Sequence, residues 1–145
     1  VLVTGDGSHQ LTANELGVMG RYGVKPVIFL LNNELYGVEE LVADTEISGH
    51  DYNKLAAWNY ADVPAAMGCT DWYTKKATTV AELDAAIAQA AAADAAAFIE
   101  LDLGVEDVPP PLPGAFLNRM YGKTPTDPNV PTFAQAMAAF AGKPQ

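Results

Sequence analysis

The residues near the start of the chain that could do chemistry are Gly5, Asp6, Gly7 and Ser8, which directly follow a short apolar run. Glycines at the end of a parallel strand let the backbone approach a bulky anion, and the amides of a following helix point toward it. The aspartate would repel a diphosphate unless a cation lay between them. Mg²⁺ meets this condition, since one or two protein oxygens hold it together with phosphate and water. Asp6 is therefore a candidate ligand, although the triplet taken alone is typical of an ordinary turn.

A second polar element ends the next apolar run, where VIFLL is followed by Asn32 and Asn33. Asn33 stands 27 positions after Asp6. The helical segment between the runs would bring both strand ends to one edge of the sheet, where α/β proteins bind ligands. The neutral carbonyl oxygen of Asn33 suits a site that a diphosphate already makes negative. Asp6 and Asn33 together predict one shared magnesium ion, although the Asn pair by itself could be a turn or a helix cap.

Composition and charge exclude several classes of partner. The chain has 145 residues, of which 50% are apolar, enough for one domain with a buried core. Its 18 acidic residues outnumber 8 basic ones, and no run of Lys or Arg could bind nucleic acid or an anionic membrane. With one cysteine and no long apolar stretch, we expect no disulfide, membrane span or signal segment, and a cytoplasmic protein. Cys69 itself is expected to be a buried small residue.

The elements that would position these residues alternate between short strands and helices, which is typical of βα units around a parallel sheet. Strands are predicted at about 1–4, 26–31, 71–77 and 97–103. Helices are predicted at about 9–22, near Leu35, at 54–68 and from Thr79 onward. Thr12 with Glu15, and Thr79 with Glu82, have the spacing of capping boxes. The predicted fold class is α/β, a three-layer parallel sheet with helices on both faces.

The two ends of the sequence bear on domain organisation. The chain begins at Val1 inside a predicted strand, so we expect the domain of residues 1–113 to be truncated at its N-terminus. The Pro-rich stretch VEDVPPPLPG is expected to form an extended surface strap. Residues 114–145 are expected to be a C-terminal extension with a terminal helix near 132–141.

The two polar motifs and their spacing resemble the cofactor-binding signature of the thiamine diphosphate (TPP) enzymes. Val38-Glu39 and the later YNKLAAWNYADVPAAMG resemble the branch that contains pyruvate, indolepyruvate and other 2-keto acid decarboxylases. The resemblance extends from Val1 to about Pro113 and implies the domain that binds the TPP diphosphate with Mg²⁺. It implies that the pyrimidine-binding and middle domains are missing, so the chain alone would be inactive. The complete enzyme would convert an indolepyruvate, pyruvate or branched-chain type of 2-keto acid to an aldehyde, as a homodimer or homotetramer.

The same resemblance assigns roles to individual residues. It implies that Mg²⁺ is bound by Asp6, the side chain of Asn33 and the backbone carbonyl of Leu35. The further residues implied to line the cofactor are Gly5, Gly7, Ser8, Tyr36 and Val38. The family usually has glycine at the position of Leu35 and threonine at that of Gly37. A positive φ at Leu35 would therefore strain this chain.

Glu39 is the residue that the resemblance implies for proton transfer. Loss of CO₂ from a 2-keto acid leaves a carbon that must be protonated, which a carboxyl group with a raised pKa can do near neutral pH. Alternatively, Glu39 is only a first-turn carboxylate favoured by the helix dipole, as we expect for Glu40. His9 is expected to be a packed or solvated neighbour of the motif, and His50 is given no role.

The position before the glutamate bears on the substrate. The resembling enzymes have Ile there in pyruvate decarboxylases and Val in those that accept indolepyruvate or branched-chain keto acids, so Val38 favours a larger 2-keto acid. Two other functions remain open. One is an acetolactate synthase-like carboligase, a class that has the ion motif but lacks this glutamate, and the other is a non-catalytic TPP-binding remnant.

Overall fold

A computed structural model of the chain describes residues 1–43, 51–105 and 107. It divides the chain into two compact units. The first unit contains Val1–Leu35 and Leu55–Gly104, and the second contains Tyr36–Lys54 and Val105–Gln145. The predicted C-terminal extension of residues 114–145, with its helix near 132–141, lies outside the described residues, as does His50.

The first unit is built on a four-stranded parallel sheet. Its strands are β1 (Leu2–Gly5), β2 (Val27–Asn32), β3 (Tyr73–Ala77) and β4 (Ala97–Asp102), in the order β1-β2-β4-β3. Every neighbouring pair is parallel, and the register places Gly5 opposite Leu31 and Asn32 opposite Asp102. The predicted parallel α/β sheet is confirmed, and the first residue of each strand is within two positions of the predicted one.

Five helices accompany the strands in the described residues. They are α1 (Asp6–Thr12), α2 (Glu15–Arg21), α3 (Gly37–Ala43), α4 (Val63–Ala66) and α5 (Val80–Ala92). Two short 3₁₀ turns cover Asp51–Asn53 and Tyr60–Asp62. All of these except α3 and the first 3₁₀ turn belong to the first unit.

Both faces of the sheet are covered in the first unit. On one face, Leu16 of α2 and Tyr60 of the second 3₁₀ turn pack with three sheet residues, namely Ile28, Leu30 and Phe98. On the other face, the α5 residues Ala86 and Ala90 pack with Ala97 and Ile99. The predicted three-layer arrangement is therefore confirmed, because alternate residues of β2 and β4 point into two separate cores.

Two predicted helices differ from the observed ones. In place of the single helix predicted at 9–22, the chain forms α1, which begins earlier at Asp6, and α2, which ends at Arg21. Ala13 and Asn14 separate the two helices. Thr12 does not form a capping box with Glu15, because its hydroxyl donates to the carbonyl of Ser8 at 3.2 Å. That bond lies inside α1, so the predicted cap is wrong.

The predicted helix at 54–68 is wrong over its first half. The backbone there bonds to distant partners instead: Leu55 N donates to Glu34 O at 3.0 Å, and Gln10 Nε2 donates to Ala56 O at 2.7 Å. Helix α4 begins only at Val63, where Pro64 is tolerated because an amide in the first turn has no intrahelical acceptor. Tertiary hydrogen bonds thus outweigh the local helical pattern of this segment.

The N-cap predicted at Thr79 is confirmed, and the Glu82 carboxylate reaches back to the amide of Thr78, one residue before the cap. Glu82 N donates to Thr79 Oγ1 at 3.2 Å, and Glu82 Oε2 accepts from Thr78 N at 2.8 Å. Cys69 is buried as expected, and its thiol donates to the carbonyl of Leu16 at 3.4 Å. Burial raises the pKa of this thiol. The thiol also fills the space beside Gly20, where an added Cβ would lie 2.5 Å from the sulfur.

Among the residues that the structure describes, no helix has both the length and the apolar character that a membrane span requires.

Candidate functional site

The candidate site lies at the carboxyl ends of β1 and β2, which are neighbours in the sheet. Asp6 follows β1 directly as the first residue of α1, and its side chain is buried, with 2% of the residue exposed. Its Oδ2 accepts hydrogen bonds from Glu34 N at 2.7 Å and Asn33 N at 3.2 Å. Its Oδ1 accepts from Gly7 N at 2.8 Å. One carboxylate therefore connects the ends of the two strands, which the sequence predicted to lie side by side, and it contacts the backbone amide of Asn33 rather than its side chain.

The protonation of Asp6 reflects two opposing effects. Burial raises the pKa of the carboxyl group, because the charged form loses its hydration. The backbone amides of Gly7, Glu34 and Asn33 lower the pKa by stabilising the charged form, but they do not fully offset burial. The hydrogen bonds thus compensate the free-energy cost of burying the Asp6 charge only in part.

The side chain of Asn33 closes a local turn. Its Oδ1 accepts from Leu35 N at 3.3 Å, an arrangement that mimics a backbone turn. Glu34, between them, has a φ of 59°, in the left-handed region. Leu35 is not in that region, so the strain expected if Leu35 needed a positive φ does not arise. The left-handed residue of this turn is Glu34 instead.

The glycine-containing segment lies directly beside Asp6. Gly5 has extended backbone, with φ −84° and ψ 157°, and an added Cβ there would meet nothing within 4 Å. Gly7 is buried and Ser8 is exposed. The space beside Gly5 is therefore open, and a group approaching it would meet backbone.

The remaining predicted site residues belong to the second unit. Tyr36 precedes α3, and Glu39 N donates to Tyr36 O at 3.0 Å in its first turn. Val38 and Glu39 are exposed. Glu40, expected to be a simple first-turn carboxylate, is instead fully buried, and its Oε1 accepts from Asn53 Nδ2 at 3.0 Å. Adjacent glutamates on α3 thus lie in opposite environments.

Sequence reasoning missed a second buried carboxylate in the first unit. Glu100 lies within β4, is 2% exposed, and accepts from Asn32 Nδ2 at 2.8 Å through Oε1. Its Oε2 accepts from Ala61 N at 3.2 Å. Lys76 Nζ lies 3.4 Å from Glu100 Oε1 and 3.3 Å from Asp102 Oδ2. The signal available in the sequence was a lone carboxylate inside the apolar run AFIEL.

His9 is a packed neighbour of the site, which agrees with one of the two expected environments. It is buried, and its ring lies against Tyr60 and Phe98 at centroid distances of 6.0 and 5.3 Å. Burial lowers the pKa of its imidazole. Its Nε2 has no hydrogen-bond partner among the described residues. A buried, unpaired imidazole is a cost to stability that grows when the ring is protonated.

The described residues offer no cluster of three or more His, Cys, Asp and Glu side chains that could hold a metal ion. Asp6 is the one carboxylate among the predicted magnesium ligands, and the other two are an amide oxygen and a backbone carbonyl. Such a donor set suits a metal that completes its coordination with phosphate and water rather than with a protein cage.

Comparison with known proteins gives a family match. Residues 1–101 match the family model described as thiamine pyrophosphate enzyme, C-terminal TPP binding domain. The match includes both polar motifs, all four strands apart from the last residue of β4, and every predicted site residue.

The chain is also similar to several curated proteins named alpha-keto-acid decarboxylase. It is 40% identical to that of Mycobacterium ulcerans over 111 residues, which are 76% of this chain and 19% of that protein. It is 38% identical to that of Mycobacterium leprae over 110 residues, which are 75% of this chain and 19% of that protein. It is 40% identical to that of Mycobacterium bovis (strain BCG / Pasteur 1173P2) over 92 residues, which are 63% of this chain and 16% of that protein. The chain thus spans less than a fifth of the length of these relatives.

Replacing His9 by Phe should reduce the acid sensitivity of the fold. Because the pKa of the folded imidazole is lowered, the unfolded chain binds a proton below about pH 6.5 while the folded chain does not. Stability contributed by the neutral ring is therefore full above that pH and is lost as the pH falls toward the folded pKa. The variant keeps a ring against Tyr60 and Phe98 without this loss.

Thermal unfolding of the full-length protein at pH 8 and pH 5 would measure the effect. The expected result is a smaller drop in Tm between the two pH values for His9→Phe than for the wild type. Equal drops would show that His9 is protonated in the folded state as readily as in the unfolded one.

Proposed function

Because the chain belongs to the thiamine pyrophosphate enzymes, as part of their C-terminal TPP binding domain, we propose that it supplies the cofactor-diphosphate site of an enzyme that decarboxylates a 2-keto acid to an aldehyde. The observation that carries this proposal is the buried Asp6 carboxylate, which holds the amides of Asn33 and Glu34 at the end of the neighbouring strand. The names of the similar proteins support the reaction type. Since those proteins are much longer, the whole activity requires segments outside these 145 residues.

In this proposal Mg²⁺ connects the protein to the diphosphate. Asp6, the side-chain oxygen of Asn33 and the carbonyl of Leu35 are its protein ligands. Two observations support them: the three groups lie on residues joined by hydrogen bonds of 3.2 and 3.3 Å, and all are hard oxygen donors of the kind Mg²⁺ prefers. A bound cation would also compensate the buried Asp6 charge, which the amides compensate only in part.

The diphosphate itself would lie against the glycine-containing segment. Gly5 leaves open space beside its backbone, and the exposed Ser8 offers a hydroxyl group as a donor. Gly7 N already donates to Asp6, so in this arrangement its main contribution is to keep the carboxylate oriented. When bound, TPP supplies the thiazolium that stabilises the negative charge left on the substrate carbon as CO₂ departs.

Glu39 and Val38 are the proposed substrate-side residues, with Tyr36 lining the cofactor. Glu39 donates a proton to the substrate carbon after CO₂ is lost and then assists release of the aldehyde. The structural support for this role is that the Glu39 side chain is exposed in the first turn of α3. Val38 lies beside it and sets the room for the substrate side chain, which favours indolepyruvate-type or branched-chain keto acids over pyruvate.

The complete enzyme is proposed to be a homodimer or homotetramer in the cytoplasm. A second domain, contributed by a partner subunit, would bind the aminopyrimidine of the cofactor and activate it. This division leaves cofactor anchoring to the present chain and activation to segments outside it. The carboligase and the non-catalytic remnant differ from this proposal in their products, the first forming a condensed hydroxy acid and the second forming none.

The magnesium site is tested by Asp6→Asn in the full-length protein. This change keeps the size of the side chain and one acceptor oxygen, but it removes the charge that faces the cation. Because loss of groups that merely support metal ligands already weakens binding about 10-fold to 100-fold, we expect at least about a 100-fold loss of Mg²⁺-dependent TPP affinity. Titration calorimetry at fixed Mg²⁺ would measure it.

Asp84→Asn is the matched control, because it removes the same charge from the exposed surface of α5, on the other face of the sheet. It should leave TPP affinity unchanged. If Asp6→Asn bound TPP as tightly as this control, Asp6 could not be a ligand.

The proton-transfer role is tested by Glu39→Gln. Removing a general acid typically slows a reaction about 100-fold to 10,000-fold, and we expect kcat for aldehyde release to fall within this range while TPP binding is retained. Coupled aldehyde detection with the full-length enzyme measures the rate. Glu40→Gln serves as the neighbouring control, since its side chain is buried against Asn53. Equal losses in both variants, or a condensed hydroxy acid as the wild-type product, would contradict the assignment.

The substrate preference is tested by Val38→Ile. The wild-type enzyme should have a higher kcat/KM for phenylpyruvate than for pyruvate. One added methylene changes pocket discrimination by about 1–3 kcal/mol, so the variant should shift the ratio toward pyruvate by roughly 10-fold or more. Competition between the two keto acids measures the ratio directly. A wild-type enzyme that prefers pyruvate would reverse the proposed preference.

A further inference from the structure

The buried carboxylate of Glu100 has no part in the proposed reaction, yet it contacts the residue that precedes a proposed magnesium ligand. Glu100 Oε1 accepts from Asn32 Nδ2 at 2.8 Å, and Asn32 is the last residue of β2. Both residues are almost fully buried. This contact joins the middle of β4 to the end of β2, where Asn33 and Glu34 begin.

The end of β2 is held from three directions. Asp6 binds the amides of Asn33 and Glu34 from the side of β1. Leu103 N donates to Asn32 O at 2.8 Å from the end of β4. Glu100 binds the side chain of Asn32. Removing the last of these leaves the backbone bonds in place but frees the side chain that fixes the orientation of the strand end.

Burying a carboxylate in a sheet costs free energy, because the charged group loses its hydration. Its desolvation is compensated here by Asn32, by the amide of Ala61 and by Lys76, whose side chain is 45% exposed. Apolar residues of similar volume often stabilise a core as well as or better than such a group. A role in positioning explains the arrangement better than a contribution to stability alone.

We propose that Glu100 is a positioning residue for the magnesium and diphosphate site, acting through its hydrogen bond to Asn32. This inference rests on the proposed function. Loss of a group that is hydrogen-bonded directly to a metal ligand typically weakens metal binding by about 10-fold to 100-fold. Glu100 acts one residue further away, because its partner Asn32 is the backbone neighbour of Asn33. The bond fixes the orientation of Asn32. Because Asn33 is the next residue along the backbone, the position of the turn that begins there depends on this orientation.

Two variants of Glu100 separate positioning from stability. Glu100→Gln keeps an acceptor oxygen for Asn32 Nδ2 but loses the charge that pairs with Lys76 and places an amide near Ala61 N. Glu100→Ala removes the bond to Asn32 altogether. Both variants should have a lower Tm. We expect Glu100→Ala to raise the Kd for TPP at fixed Mg²⁺ by about 10-fold or more, and Glu100→Gln to bind close to the wild type.

A measurement on the cofactor-free, full-length protein provides a readout that does not depend on the metal. Hydrogen exchange of the amides of Asn33 and Glu34, which bond to Asp6, should be faster in Glu100→Ala and near the wild type in Glu100→Gln. Asn32→Ala should reproduce the Kd and exchange changes of Glu100→Ala. The double variant should add nothing further, because both changes remove the same bond.

Ile99→Val is the matched control for lost stability. Ile99 is the neighbouring residue on β4, is fully buried, and packs on the opposite face against α5. This control should lower Tm without changing the Kd for TPP or the exchange of the two amides.

The outcomes distinguish this inference from the proposed function. If the wild-type protein showed no Mg²⁺-dependent TPP binding, the proposed function would be wrong. If the wild type bound TPP but Glu100→Gln lost as much affinity as Glu100→Ala, the charge rather than the Asn32 bond would matter, and the inference would be overturned. The same holds if Glu100→Ala kept wild-type affinity and exchange. Should Glu100→Ala fail to fold, Asn32→Ala tests the same bond.

Discussion

The candidate site depends on one interaction, the hydrogen bonding of the Asp6 carboxylate to amides at the end of the adjacent strand. Asp6 follows β1, while Asn33 and Glu34 follow β2, so the carboxylate joins two segments separated by α1, α2 and β2. Burial alone would make this charge unfavourable, and three amides offset that cost only in part. A buried charge that still needs compensation suits the binding of a cation, and this property supports the proposed magnesium site.

The sheet explains why the site is at this edge. In a parallel sheet all strands present their carboxyl ends on the same side, so polar residues that follow the strands collect there. Asp6, Asn32, Asn33 and Asp102 all lie at or just past strand ends. The two apolar cores on either side fix the register of β2 and β4. Glu100 interrupts the apolar pattern of β4, and its bond to Asn32 couples this core to the site.

Much of the fold could be predicted from the sequence because its signals are local. Short runs of β-branched or aromatic residues marked the four strands, and the Thr79–Glu82 spacing marked the start of α5. The helix predicted at 54–68 was wrong because Leu55 and Ala56 bond to Glu34 and Gln10, which are distant in sequence.

Of the site, the approach of Asp6 to Asn33 followed from topology. The Asn32 to Glu100 contact could not be predicted, since it joins residues 68 positions apart and leaves no periodic trace. The left-handed backbone at Glu34 likewise depends on how the turn fits against Asp6.

In the proposed site, Asp6 and Asn33 hold one divalent cation between the protein and the cofactor diphosphate. Crystals of the full-length protein grown with TPP and Mn²⁺ in place of Mg²⁺ would test it most directly, because the anomalous scattering of manganese locates the ion independently of the refined structure. We expect one strong anomalous peak at about 2.0–2.3 Å from an Asp6 carboxylate oxygen and from Asn33 Oδ1, with diphosphate oxygens completing the coordination. A peak bound by other residues, or TPP bound with no peak at this edge of the sheet, would contradict this cation site.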